Sequence, residues 1–390
     1  MGETGLGNIF EKYEDWDRLI QDCQTIEDLS EIEKEKARLA FEFLRVEFGE
    51  DFLHRVSQSY HPLFFYYIVN TSPWTRKWII RFADSLKEMK NNKNYSSLLK
   101  RLKDSKMFND GNSVLEAASK FSKAGFQIIF DQKIEVDGVI KKPDLKIIDS
   151  ETKEELFIEV TVLGESKSQR DIHFTLTSIC NLLMNSAQFM VHRGRLYKAL
   201  SPKHLKDVLK KIEETIEMVK RENSFQELVI DDVIEIGFAP QNDFEILKKW
   251  ASERGIDASL CGPRTDGNEI VRIRRAIEKE QRQLPKNQPC LLIIKNNNLF
   301  FNQEDIGKTI NDLEEEVYEY SQLLAAGIIW GYMPIINEEE DVYLIKDHHE
   351  YIKKNKDGVL VEQTIVLFNQ YCEQNISSPT LEKVKKSFKM

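Results

Sequence analysis

Residues 143–163 read PDLKIIDSETKEELFIEVTVL, and the reading of this stretch decides the fold. Two apolar runs flank the polar segment Asp149 to Glu154, whose composition is that of a turn. The first run, Pro143 to Ile148, opens on a proline, which fixes φ and is tolerated where a strand begins. The second, Leu156 to Leu163, predicts a strand with Phe157, Glu159 and Thr161 on one face and Ile158, Val160 and Val162 on the other. Upstream, Asp137-Gly138 predicts a two-residue hairpin turn, and Phe126 to Phe130 another strand. Ser113 and Glu116 have capping-box spacing, so a helix is predicted from Ser113 to about Gly125. Downstream, Gly164 to Ser168 is a loop, and a long helix is predicted to about Met190.

Working outward, residues 1 to about 110 read as helical. Glu31 to Phe52 is dense in helix formers, its apolar residues recur at three and four, and Gly49 is placed to cap its end. Further helices are predicted from Pro73 through Met89 and over Ser96 to Lys103, and Asp110-Gly111-Asn112 reads as a break. Beyond the central stretch, helices are predicted over Pro202–Arg221, Phe244–Arg254, Asn268–Gln283, Ile306–Leu324 and Val361–Gln374. Strands are predicted over Val233–Ala239, Cys290–Lys295, Gly327–Met333 and Val342–Ile345. Strands alternating with helices imply an α/β fold with a central mixed sheet flanked by helices. The implied division is an N-terminal helical region over 1–110, an α/β domain over 111–335, and a strand-and-helix extension over 336–390.

Composition sets the outer bounds. The 390 residues, 41% hydrophobic and 31% charged, suit a soluble globular protein rather than a disordered one. No apolar run approaches the roughly 20 residues needed to cross a bilayer. Met1 to Tyr13 carries Glu and Lys where a signal peptide needs an apolar stretch, and Leu6 stands where a myristoylation signal wants Ser or Thr. A cytoplasmic protein with no membrane partner is expected. The five cysteines are far apart and read as reduced thiols, and the adjacent His348 and His349 splay apart on either a helix or a strand. The net charge of −10 argues against a dedicated nucleic-acid binder, since phosphate contacts dominate such affinity. Local patches decide binding, however. Two segments are locally basic, Arg193 to Lys211 and Arg272 to Arg282, and each reads first as a solvated helix face.

The order of acids on elements carries the chemistry: Glu116 on a helix, Asp144 after Pro143 at a strand start, and Glu159-Val160-Thr161 on the next strand. This order resembles the PD-(D/E)XK, or restriction-endonuclease-like, superfamily, over roughly residues 113 to 190. The resemblance implies an α-β-β-β-α-β core and a Mg²⁺-dependent nuclease, with Mn²⁺ as an alternative ion. It implies that Asp144, Glu159, Glu116 and the Val160 carbonyl ligate the metal. It also implies a nucleic-acid substrate, DNA ahead of RNA, and a setting in restriction or phage defence. The residue types suit that chemistry. Mg²⁺ takes oxygen ligands and keeps several waters, and a Glu within an apolar strand is costly unless paired or metal-bound.

One position departs from the family pattern. The family lysine is replaced by Thr161, which brings no positive charge. Lys146, two residues after Asp144, is the expected substitute, with Lys142 and Lys167 as alternatives. Gln169 and Arg170 are placed to contact phosphate. Each acid also has an ordinary reading: Glu116 as the back half of a capping box, Asp144 as a turn residue, Glu159 on a solvated strand face. A competing function is therefore a degenerate nuclease fold serving as a nucleic-acid-binding or scaffolding module. A third reading is an unrelated α/β interaction protein. The N-terminal helices leave open a partner protein, and double-strand cleavage a homodimer.

Overall fold

The computed structural model of the protein describes residues 11–27, 29–136, 138–164, 166–184, 189–263, 269–296, 306–331, 342–345, 350–354 and 360–389. His348, His349, Asp137 and Met333 lie outside them. Two compact units are present: residues 1–164 with 269–390, and residues 165–268.

The first unit opens with α1 (Trp16–Asp22), α2 (Glu31–Phe48), α3 (Phe52–Ser57), a π-helical turn over Leu63–Ile68, α4 (Pro73–Met89), α5 (Tyr95–Lys103) and α6 (Phe108–Lys123). A reciprocal capping box does form, but at Ser30 and Glu33, and Gly49 ends that helix at φ +97. The box expected at Ser113 and Glu116 does not form. Helix α6 starts at Phe108 and runs through Gly111, and the Ser113 hydroxyl donates to the Asn109 carbonyl, 3.0 Å away. Gly111 does not break the helix. Its missing side chain lets α6 lie against α5, because a Cβ there would stand 3.1 Å from Arg101 Cβ and 3.2 Å from Leu102 Cδ2.

The chain then forms β1 (Phe126–Phe130), the hairpin β2 (Ile134–Val136) and β3 (Val139–Lys141), β4 (Leu145–Asp149) and β5 (Glu155–Leu163). In the hairpin Val136 faces Val139, and Gly138 takes the left-handed φ of +75. The second unit follows, with α7 (Lys167–Met184), β6 (Met190–Leu196), α8 (Pro202–Glu222), β7 (Gln226–Ile230), β8 (Ile234–Pro240) and α9 (Phe244–Glu253). Its three strands form an antiparallel sheet in the order β6-β8-β7, so Arg193 and Arg195 lie on a strand and not on a helix face.

The first unit resumes with α10 (Glu269–Glu280), β9 (Cys290–Asn296), α11 (Ile306–Tyr318), β10 (Leu323–Gly331), β11 (Val342–Ile345), β12 (Glu350–Lys354), β13 (Leu360–Phe368) and α12 (Ser378–Phe388). Its sheet runs β1-β4-β5-β9-β10-β13-β12-β11, with β5, β9 and β10 parallel and the other neighbours antiparallel. The protein is thus α/β, with a large mixed sheet flanked by helices. Val160, Leu291 and Ile293 face a core shared with α6, α12 and the N-terminal helices. Phe157, Leu292 and Ile294 face a second core with residues from α10 and α11.

Two further expectations change. Val361–Gln374 is not a helix: Leu360–Phe368 is a strand held between β10 and β12. Its run Thr364-Ile365-Val366 is β-branched, which suits a pleated surface better than a helix. The chain also divides differently from 1–110, 111–335 and 336–390. One apolar core spans Trp16 to Phe388, so the N-terminal helices and the C-terminal strands belong with the sheet, and 165–268 is the separate piece.

Candidate functional site

In the β4–β5 ladder Leu145 lies opposite Ile158, so Asp144, one residue before the ladder, comes opposite Glu159. The Asp144 N–H donates to Glu159 Oε2 at 3.3 Å, and the Val160 N–H donates to Asp144 Oδ2 at 2.9 Å. Asp144 is only 6% exposed. The two carboxylates expected to work together are therefore neighbours.

A cation not assigned from the sequence completes this corner. Arg101, on α5, forks its guanidinium onto Asp144 Oδ1 and Asp131 Oδ1. Asp131, at φ +46 just after β1, also accepts from the Ser97 hydroxyl, and its N–H donates to the Asp144 carbonyl at 3.0 Å. The Asn94 side-chain amide donates to the Phe130 carbonyl at 2.7 Å. Helix α5 is thus tied to the end of the β1–β4 pair by three side chains, those of Asn94 at its cap, Ser97 and Arg101. Leu98 and Leu102 are buried, and Arg101 sits three residues after the first, on the flank of that apolar stripe. That spacing is the one sequence signal that could have drawn attention to it.

The electrostatics of the pair follow from crowding. Burial raises the pKa of Asp144, opposed by Arg101 and by the Val160 N–H. Burial first, then the charges of Asp144 and Glu280, push Glu159 up to about 9. Glu280, at the end of α10, is 8% exposed and is paired with Lys279 Nζ at 2.7 Å. At neutral pH such a site holds either a proton or an added cation between its carboxylates, because one guanidinium does not offset all of them.

The remaining expected residues are placed elsewhere. Strand alternation puts Val160 on the α6 side of the sheet and Glu159 on the α10 side. Glu116 lies on the Val160 side. Its carboxylate pairs with Lys295 and accepts from the Asn112 amide at 2.8 Å. Lys120 pairs with Glu362 at 2.5 Å beside it, and a small cavity of about 20 Å³ lies among Glu116, Lys120, Val160, Ile293, Lys295 and Glu362. Glu116 is therefore not brought into the Asp144–Glu159 pair.

Lys146 shares the face of Phe157 and Glu159, but its Nζ pairs with Glu155 at 2.7 Å and lies 5.7 Å from the Phe157 ring centre. Glu155 is four residues from Glu159, about 13 Å along a strand, so the lysine is aimed away from the carboxylates. Thr161 is partly exposed on the Glu159 face, opposite Ile294. Lys142 is exposed. Lys167, Gln169 and Arg170 belong to the second unit, where Gln169 and Ser166 form a reciprocal cap at the start of α7 (Ser166 N–H to Gln169 Oε1 2.7 Å, Gln169 N–H to Ser166 Oγ 3.1 Å).

Among the described residues no three His, Cys, Asp or Glu side chains are arranged to hold a metal ion. Asp144 and Glu159 are the two carboxylates that could contribute oxygens to an ion that keeps most of its waters, although Asp144 Oδ1 and Oδ2 already accept from Arg101 and the Val160 N–H. All five cysteines are free thiols. Among the described residues no helix is long and apolar enough to cross a membrane. A scan of protein-family models, a search of curated proteins and a search of solved structures each found no match to this chain.

Proposed function

We propose that the protein is a divalent-metal-dependent phosphodiester hydrolase with a restriction-endonuclease-like core, acting on nucleic acid. The observation that carries this reading is the Asp144–Glu159 pair. Two carboxylates meet across adjacent strands, where burial and their mutual charge favour either a proton or a bound cation between them. The chain order supports the same reading. Helix α6, strands β1, β4 and β5, and the parallel return at β9 follow the α-β-β-β-α-β order that the resemblance implies. A divalent ion held there lowers the pKa of bound water and neutralises charge on the scissile phosphate. Asp144 and Glu159 would be its protein ligands, with the Val160 carbonyl as a third oxygen. Arg101 is the fixed cation nearest to Asp144. It can take over the phosphate-facing role that Thr161 cannot fill.

A second reading is a nuclease-like fold that binds without cleaving. Arg101 favours it, since its guanidinium pairs directly with Asp144. Cleavage of duplex DNA, single-stranded DNA and RNA in Mg²⁺ and in Mn²⁺ separates the two. The hydrolytic reading expects turnover by the wild type and at least a 100-fold loss in both Asp144→Ala and Glu159→Ala. Wild-type turnover that survives both substitutions rejects the site. No turnover on any substrate, with nucleic-acid binding retained, selects the second reading.

A further inference from the structure

Helix α5 has a second, basic side. It carries Arg101 toward Asp144, while Lys100 and Lys103, three residues apart and so on a common side, line an open cleft of about 510 Å³. Arg55, from α3, completes its basic wall, and Ser96, Leu99 and Asp104 make up the rest. Among the described residues Arg55, Lys100 and Lys103 make no ion pair and no side-chain hydrogen bond. Arg55 and Lys103 instead rest near aromatic rings, at 5.8 Å from the centres of Phe52 and Phe48 respectively. The one acid in the cleft is already engaged: Asp104 Oδ1 accepts the N–H groups of Lys106, at 2.8 Å, and Met107, at 3.2 Å.

Three cations and a single carboxylate, Asp104, line this cleft, a locally basic arrangement in a chain of net charge −10. Burial first, then the nearby Arg55, depress the Lys103 pKa, partly offset by Glu47. The rise of a helix is about 1.5 Å per residue, so the cleft and Arg101 lie within one turn of each other. We infer that this cleft binds the phosphodiester backbone of a nucleic acid and leads it along α5 to Asp144 and Glu159. The lysines and Arg55 would contact phosphates, and Leu99 gives an apolar floor for a sugar or base edge. The assignment rests on the hydrolytic reading only for where the strand goes next. Binding in the cleft does not require turnover.

The test is fluorescence anisotropy with labelled 20-mers of duplex DNA, single-stranded DNA and RNA. Full-length protein is used in EDTA over a series of salt concentrations. The variant Arg55→Gln/Lys100→Gln removes two exposed cations, and Lys103→Gln removes the more buried one separately. The double variant is expected to bind about tenfold more weakly at 100 mM salt. Its slope of log K against log salt should be smaller by about 1.5, since each lost phosphate contact removes about 0.7–0.9. Failure of the wild type to bind any of the three, or variants that keep wild-type affinity and slope, overturns the assignment. Displacement of bound oligonucleotide by millimolar inorganic phosphate would make the cleft a small-anion site and also overturn it. Failure of the hydrolytic reading looks different, with cleft-dependent binding intact and no cleavage in Mg²⁺ or Mn²⁺.

Discussion

Replacing Arg101 with Met removes the cation that three elements share and leaves its shape roughly intact. The Arg101 side chain is 19% exposed, and the side chains of its partners Asp131 and Asp144 are 11% and 9% exposed. A surface ion pair of this kind would be worth about 0–1 kcal/mol. Truncating one side of a pair this sheltered costs about 3–5 kcal/mol, because two carboxylates stay behind without their cation. A loss of about 3 kcal/mol is expected in urea unfolding at pH 7 in EDTA. A double-mutant cycle with Asp144→Asn locates the cause. Once Asp144 cannot ionise, loss of Arg101 should cost much less, a coupling of about 2 kcal/mol or more. The pH dependence has a definite sign. Asp144 has a raised pKa even with Arg101 present, and it rises further without it. A carboxyl raised in the folded state contributes stability at low pH that is lost as pH climbs through its folded pKa. Arg101→Met should therefore recover toward wild type as the pH is lowered from 7. Additivity within about 0.5 kcal/mol, or a deficit that does not shrink on acidification, would refute the shared-cation arrangement.

Three further outcomes follow from the same geometry. Glu159, pushed up from 4.5 to about 9, favours its protonated form in the folded state, so in EDTA the wild type should lose about 4 kcal/mol between pH 5 and pH 8. Glu159→Gln should flatten that profile, as thermal unfolding across the range would reveal, and parallel profiles would count against a buried carboxyl. Gly327→Ala should destabilise by about 2 kcal/mol in denaturant unfolding, because its Cβ would press on the Phe388 ring, whose Cζ would stand 3.1 Å away. Lys146→Ala should leave cleavage within about twofold of wild type, since the lysine is spent on Glu155, and a loss of 100-fold would restore it to the catalytic site.

Much of the sheet was legible because alternation and turn chemistry are local. Residues 126–130, 145–149 and 155–163 form strands close to the expected places, and Glu159 and Val160 take the opposite faces that period two demands. Local signals failed where tertiary packing overrode them. Gly111 reads as a helix break, yet it is the contact point between α5 and α6. The apolar spacing in Leu360–Phe368 fits a helix, but two neighbouring strands claim its backbone. The site divided the same way. Asp144 and Glu159 belong to consecutive strands, and a hairpin-like register brings them together. Glu116 and Lys146 were placed by order and spacing, which say nothing about the Lys295 and Glu155 charges that hold them. Arg101 comes from outside the resembling segment, and only the packing of α5 on the sheet brings it to Asp144.

The most direct measurement is calorimetric titration of the metal-free protein with Mn²⁺ and Mg²⁺ near pH 7, in buffers of different ionisation enthalpy. One ion per chain should bind with release of close to one proton, because the Glu159 carboxyl gives up its hydrogen to become a ligand. That binding should vanish in Asp144→Ala and in Glu159→Ala. Absence of binding to the wild type, or binding that is proton-neutral and indifferent to both substitutions, would contradict a metal centre at the meeting of β4 and β5.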